Sequence, residues 1–118
     1  MSTGEERRQD LRGAVAVRIM SWRSERIPWA YDGEASVWHD RGGAPLVPEQ
    51  AWRPDEDHAQ CMTVLARMRE LGFAFELRSL GDAVRAVFRH DSGAHGEAEH
   101  DDLRRALLGA ALAAAGSR

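Results

Sequence analysis

Large aromatic side chains are concentrated between positions 22 and 54 of this chain, and four of the sixteen arginines lie among them. All four tryptophans and the only tyrosine lie there, at Trp22, Trp29, Tyr31, Trp38 and Trp52. Aromatic faces stack on nucleobases, and guanidinium groups pair with phosphates in bidentate fashion. The composition therefore predicts a binding site for a small anionic ligand, with a nucleotide as one candidate, formed by Trp29, Tyr31, Trp38, Arg23, Arg26, Arg41 and Arg53.

The same rings also have a structural interpretation. Trp22 and Trp52 stand at the ends of the irregular segment, next to predicted helices, so we expect them to be core residues. For Trp29, Tyr31 and Trp38 the sequence leaves core packing and ligand contact equally open.

A second candidate for chemistry is the tract HDSGAHGEAEH at 90–100, which places three histidines among several carboxylates. Imidazole and carboxylate groups are ligands for zinc and manganese. The spacing matches no standard zinc pattern, however, and the tract is typical of a polar loop. We predict no metal site, and a metal-dependent hydrolase that uses His39, His90, His95 or His100 stays as an alternative.

Signals for an enzyme are otherwise weak. His58 precedes Cys61 by three residues, but Cys61 falls on the apolar face of a predicted helix, where cysteine is usually a small buried hydrophobe. The sequence contains no glycine-rich phosphate loop, serine nucleophile elbow or HExxH motif. It therefore predicts a protein that is not an enzyme, with no catalytic residue and no cofactor.

Length and composition fit one globular domain over residues 1–118, with 1–3 as a frayed start. Hydrophobic residues make up 43% and charged residues 30% of the chain, and the net charge of −3 argues against binding to duplex nucleic acid. The single cysteine excludes an intrachain disulfide. Since no run resembles a signal peptide or a membrane span, we expect a cytoplasmic protein without a membrane partner.

Periodicity predicts the elements that must position these residues. Apolar steps of three and four predict helices over 4–22, from Asp55 or Asp57 to Gly72, and from Asp101 or Asp102 through 114. The segment 23–54 is predicted to be irregular, with short strands at 35–40 and 43–47.

A β-hairpin is predicted over 73–89, because apolar and polar residues alternate on both sides of the turn Leu80-Gly81-Asp82. Its polar face carries Glu76, Arg78, Arg85 and Arg89. The predicted fold class is α+β, a single-domain α-β-α sandwich of three helices and a small antiparallel sheet that contains this C-terminal hairpin.

Several runs, taken in order, resemble the phage ABA-sandwich domain. They are AVRIMSW at 16–22, Trp52-Arg53-Pro54 before an acidic helix start, MRELGF at 68–73, the hairpin ending in Phe88, and the Ala/Leu helix at 103–114. The resemblance covers roughly residues 14–114. It implies an α-β-α sandwich of phage or prophage origin, and it carries over no catalytic residue because the function of that family is largely unassigned.

Together these features predict a phage-type binding protein. The first hypothesis is that it sequesters a small anionic, nucleotide-derived signal to counter host defence, in the host cytoplasm. A pocket for such a ligand would lie between subunits, so a homo-oligomer is expected. The second hypothesis is a protein-interaction module that inhibits a host or phage protein through the aromatic segment.

Overall fold

A computed structural model describes residues 4–30 and 33–117 of the chain. Within these residues, three helices and two antiparallel three-stranded sheets confirm the predicted α+β class. The chain divides into two compact units, Met1–Arg53 and Pro54–Arg118, each containing one of the sheets. Among the described residues, no helix combines the length and apolar character that crossing a membrane requires.

The N-terminal helix is shorter and less regular than the predicted 4–22. Helix α1 spans Gly4–Ala14 and continues as a π-helical turn over Val15–Ile19, in which the Met20 amide donates to the Val15 carbonyl at 3.1 Å. Ser21 follows with a φ of 60°, a left-handed conformation that ends the helix before Trp22. Val15 and Ile19 are fully buried, as expected from the apolar periodicity.

The aromatic segment is a sheet, which corrects the prediction that 23–54 is largely irregular. Strands β1 (Arg23–Trp29), β2 (Gly33–His39) and β3 (Pro45–Pro48) pair in that order, and a short 3₁₀ turn, Glu49–Ala51, follows. The expected strands at 35–40 and 43–47 correspond to β2 and β3. Strand β1 was not predicted, because its sequence RSERIPW lacks apolar alternation and contains a proline.

The second unit begins with helix α2, His58–Glu70. The Asp57 carboxylate accepts a hydrogen bond from the Gln60 amide at 3.0 Å, so Asp57 is the N-cap. At the other end Gly72 has a φ of 94°, and the Phe73 amide bonds to the Met68 carbonyl at 3.1 Å. This is the Schellman ending expected of a glycine at this position.

The second sheet contains the predicted hairpin and one unexpected strand. Strands β4 (Ala74–Ser79) and β5 (Val84–Arg89) pair antiparallel, and β6 (His95–His100) adds to the other side of β5. The prediction of a polar loop over 90–100 is therefore wrong for its second half. The single small sheet of the sequence prediction is replaced by two three-stranded sheets.

Helix α3, Leu103–Gly116, packs on β5 and β6 and begins at the N-cap Asp102. The approach to β6 is very close, because a Cβ built on Gly96 would fall on the backbone of Ala110, Ala113 and Ala114. This closeness explains why the inward positions of β6 are glycine and alanine.

Candidate functional site

The outer face of the second sheet collects charged side chains from all three strands. It points away from the face on which Ala86, Phe88 and Gly96 lie beneath α3. In the strand register, Arg78 of β4 lies opposite Arg85 of β5. Val87 of β5 lies between Glu76 of β4 and Glu97 of β6. We call this surface the arginine face and define it by the residues that line its groove: Glu76, Arg78, Arg85, Val87, Arg89 and Glu97.

Ion pairs link these side chains across the strands. Arg85 Nη2 lies 2.9 Å from Glu97 Oε2, whereas Glu76 is shared between Arg89 Nη1 at 3.4 Å and Arg78 Nη2 at 3.6 Å. All three arginine side chains are at least 43% exposed. Exposed pairs of this kind contribute about 0–1 kcal/mol each, so an incoming anion can displace the glutamates at small cost.

The groove on the arginine face has a volume of about 160 Å³, and its floor is the buried side chain of Val87. Among the described residues that line it, none is aromatic. The groove can therefore contact phosphate or carboxylate oxygens through guanidinium groups, but it supplies no ring on which a nucleobase would stack.

The predicted ligand-binding rings have different environments. Trp38 is only 7% exposed, whereas Trp29, at the hairpin end of β1, is 37% exposed. Tyr31 lies outside the described residues. Trp29 and Trp38 also project from opposite faces of the first sheet, since Trp29 shares its face with Val37 and Trp38 shares its face with Ser24.

The arginines predicted to accompany these rings are likewise spread out. Arg23 pairs with Glu25 at 3.1 Å and Arg26 with Glu34 at 3.1 Å, on opposite faces of β1.

Arg41 is exposed in the turn between β2 and β3, and Arg53 Nε donates to the Gln50 carbonyl at 3.0 Å. Arg23 and Trp29 stand at opposite ends of β1, roughly 20 Å apart at the usual rise of a strand. The structure thus does not bring the described members of the predicted set together around one point.

Trp22 and Trp52 meet, but the expectation that both are core residues holds only for Trp52, because Trp22 is half-buried. Their ring centroids are 4.7 Å apart with an interplanar angle of 64°, an edge-to-face contact. Trp52 is 3% exposed.

The histidines considered for a metal site occupy separate positions. His90 lies in the β5–β6 loop, where its Nδ1 accepts a hydrogen bond from the Ser92 amide at 3.0 Å. His95 and His100 lie at opposite ends of β6 and on opposite faces, and His39 is buried on β2. Within the described part of the chain, no three His, Cys, Asp or Glu residues are grouped so as to hold a metal ion.

Cys61 is buried in helix α2, as its place in the apolar pattern predicted, whereas His58 is exposed. Burial raises the pKa of the Cys61 thiol from 9.0 to about 11. A thiol that keeps its proton is a poor nucleophile, so this cysteine is not activated for covalent chemistry.

Sequence reasoning found the arginines of the hairpin but missed Glu97, because it assigned that residue to a loop. The sequence HGEAEH alternates the charged Glu97 and Glu99 with the small Gly96 and Ala98, and this is a local sign of the strand even though large apolar residues are missing from it.

Comparisons with protein-family models, curated proteins and solved structures find no match to this chain.

Proposed function

We propose that this chain is a non-enzymatic binding protein that takes a small anionic ligand on the arginine face. The observation that carries the proposal is the convergence of Arg78, Arg85 and Arg89 on one groove whose floor is the buried Val87. Guanidinium groups bind phosphate and carboxylate in bidentate fashion, and such charge-assisted hydrogen bonds are stronger than those between neutral groups.

The chemical class follows from the lining. Three arginines and two glutamates line a groove of about 160 Å³, so the part of the ligand that the arginines recognise is a compact anionic group such as a phosphate or pyrophosphate. Glu76 and Glu97 hold the arginines in place in the free protein and compete with that group. A nucleotide would then be bound through its phosphates, with its base outside the groove.

The biological role completes the proposal. The runs that resemble the phage ABA-sandwich domain support a phage setting, in which the protein would sequester a nucleotide-derived signal of host defence. Binding without turnover suits that role, since a sequestering protein removes its ligand by holding it and does not need to convert it.

Isothermal titration calorimetry at low ionic strength tests the ligand class, with pyrophosphate, ATP, cyclic nucleotides, ADP-ribose and adenosine as probes. We expect binding of the phosphorylated probes and none of adenosine. Arg85→Ala should weaken pyrophosphate binding about two- to fivefold, because it removes an exposed guanidinium–anion contact worth roughly 0.5–1 kcal/mol. Glu97→Gln should strengthen binding, because it removes a competing carboxylate.

Two controls locate the site. Arg69→Ala removes an exposed arginine on α2 and should leave binding unchanged. Trp29→Ala and Arg23→Ala examine the aromatic segment. Loss of binding in these two variants, with Arg85→Ala behaving as wild type, would return the site to that segment and overturn the proposal. So would the absence of heat with every phosphorylated probe.

A further inference from the structure

The second sheet has one edge that is open along its whole length. Strand β4 is an edge strand, and all six of its residues are exposed. The Leu80 amide donates a hydrogen bond to the Ala83 carbonyl in the turn, and this bond determines which residues of β4 bond to β5 and which point outward. The amide and carbonyl groups of Phe75, Leu77 and Ser79 therefore point away from β5. Nothing else among the described residues bonds to them.

The opposite edge, on β6, is closed at its beginning. Ser117 Oγ accepts a hydrogen bond from the His95 amide at 3.0 Å and lies 3.1 Å from the His95 carbonyl oxygen. Further along, the outward-facing positions of β6 are Glu97 and Glu99, which would face like charges if two copies of β6 paired about their centre. One edge of the sheet is thus open to pairing, whereas the other is closed at its beginning and carries like charges further along.

The side chains of β4 are also unusual for an exposed edge. Natural sheets protect their edges with charges on the apolar face, with prolines or with bulges. The apolar face of β4 is the one that α3 covers on β5 and β6. It carries Phe75 and Leu77, which are 40% and 41% exposed, and none of the charged residues of β4. The charges Glu76 and Arg78 lie on the other face, one of each sign.

We propose that β4 pairs antiparallel with β4 of a second copy of this chain, forming a symmetric dimer with a continuous six-stranded sheet. Leu77 lies on the two-fold axis opposite Leu77 of the second copy. Phe75 lies opposite Ser79 of the second copy, so the outward amides and carbonyls of both strands pair. Glu76 lies opposite Arg78 of the second copy, and the symmetry forms this ion pair twice.

Charge selects this register among the alternatives. A shift by two residues places Glu76 opposite Glu76, or Arg78 opposite Arg78, at the axis. A shift by one residue opposes apolar and charged faces, since side chains alternate along a strand. The register centred on Leu77 is therefore the one in which opposite charges meet and apolar side chains share a face.

Sedimentation velocity over a concentration series, without any ligand, tests the dimer. We expect the wild-type protein to dimerise with a micromolar dissociation constant. Glu76→Arg and Arg78→Glu should each raise that constant roughly tenfold, because each change places like charges opposite one another twice. The double variant E76R/R78E should recover dimerisation, since it restores opposite charges with their signs exchanged.

Further variants separate pairing from folding. Leu77→Arg should prevent dimerisation by placing two cations at the axis, and Val17→Arg, a substitution at an exposed apolar residue of α1's π-helical continuation, should not. Circular dichroism confirms that each variant is folded. Amide hydrogen exchange at Phe75, Leu77 and Ser79 should slow as protein concentration rises.

A monomer at every concentration would overturn the proposal, as would a double variant that stays monomeric like its parents. Single variants that dimerise like wild type would also overturn it, by showing that another surface is used. The inference does not depend on the anion-binding proposal, because dimerisation is measured without ligand and Arg85→Ala leaves the β4 edge intact.

Discussion

The indole nitrogen of Trp52 donates a hydrogen bond of 3.1 Å to the main-chain carbonyl of Arg12, a residue forty positions earlier in the chain. This bond fixes the end of the first unit to helix α1. The Trp52 ring also makes an edge-to-face contact with Trp22. The Trp52 side chain therefore both bonds to the Arg12 carbonyl of the helix and packs against Trp22, which lies just after the helix.

Trp52→Phe should lower the free energy of unfolding by about 1–3 kcal/mol, because it leaves the Arg12 carbonyl without its indole donor. Trp52→Ala should cost more, about 3–5 kcal/mol, since it also opens a cavity. Guanidinium-induced unfolding measures both. Trp29→Phe is the matched control, and its exposed ring should change stability by no more than about 0.5 kcal/mol.

Gly96→Ala should destabilise the protein by about 3 kcal/mol, because the added methyl group would overlap the backbone of α3 at Ala114. Gly13→Ala is the opposite case. Among the residues that the structure describes, no atom outside its own helix lies within 4 Å of the position that its Cβ would take, so it should stabilise α1 by up to about 1 kcal/mol. Thermal unfolding of the two variants should therefore shift in opposite directions.

Stability should decline at high pH because of Cys61. Burial raises the pKa of this thiol in the folded protein from 9.0 to about 11, so the folded state holds its proton more tightly than the unfolded state. The stabilisation is complete below pH 9 and is lost as pH rises through the folded value.

Between about pH 8 and about pH 10 we expect the Cys61 contribution to fall by about 1 kcal/mol, as measured by urea unfolding. In Cys61→Ala this part of the pH dependence should disappear. An unchanged slope in that variant would show that another group titrates.

Ser117→Ala should release the beginning of β6. The variant loses the hydroxyl that accepts from the His95 amide, so hydrogen exchange at this amide should become faster, by roughly fivefold or more for a bond worth about 1 kcal/mol. Exchange at the amides of β5 should stay as in the wild type. Equal acceleration throughout the sheet would instead indicate loss of global stability.

Local signals predicted much of the second unit. The alternation at 73–89 gave the hairpin, including the shared face of Arg78, Arg85 and Arg89. Capping chemistry located Gly72 and narrowed the N-cap of α2 to Asp55 or Asp57, because both side-chain capping and a left-handed glycine depend on residues within one helical turn.

Strands β1 and β6 were missed for different physical reasons. The inward positions of β6 are Gly96 and Ala98, since α3 lies too close for larger side chains, so the strand shows no apolar alternation. Strand β1 is exposed at almost every position and contains Pro28. In both cases the neighbouring elements decide the conformation, and a local pattern does not contain them.

The candidate site was partly visible in the sequence. The hairpin arginines were assigned to one polar face, but their convergence with Glu97 on a groove depends on β6. The aromatic segment drew attention through its composition, whereas strand register separates Trp29 from Trp38 and Arg23 from Arg26. Composition identifies which groups are present, and only register tells which of them are neighbours.

The hydroxyl of Ser117 has a consequence for how far association can proceed. A sheet that exposes two pairing edges can add copies without limit, as fibrils do. In the proposed dimer the two β4 edges pair with each other, so a third copy would have to add through β6, where Ser117 already occupies the His95 amide. A single hydroxyl thereby removes one of the pairing groups on which a third copy would have to build.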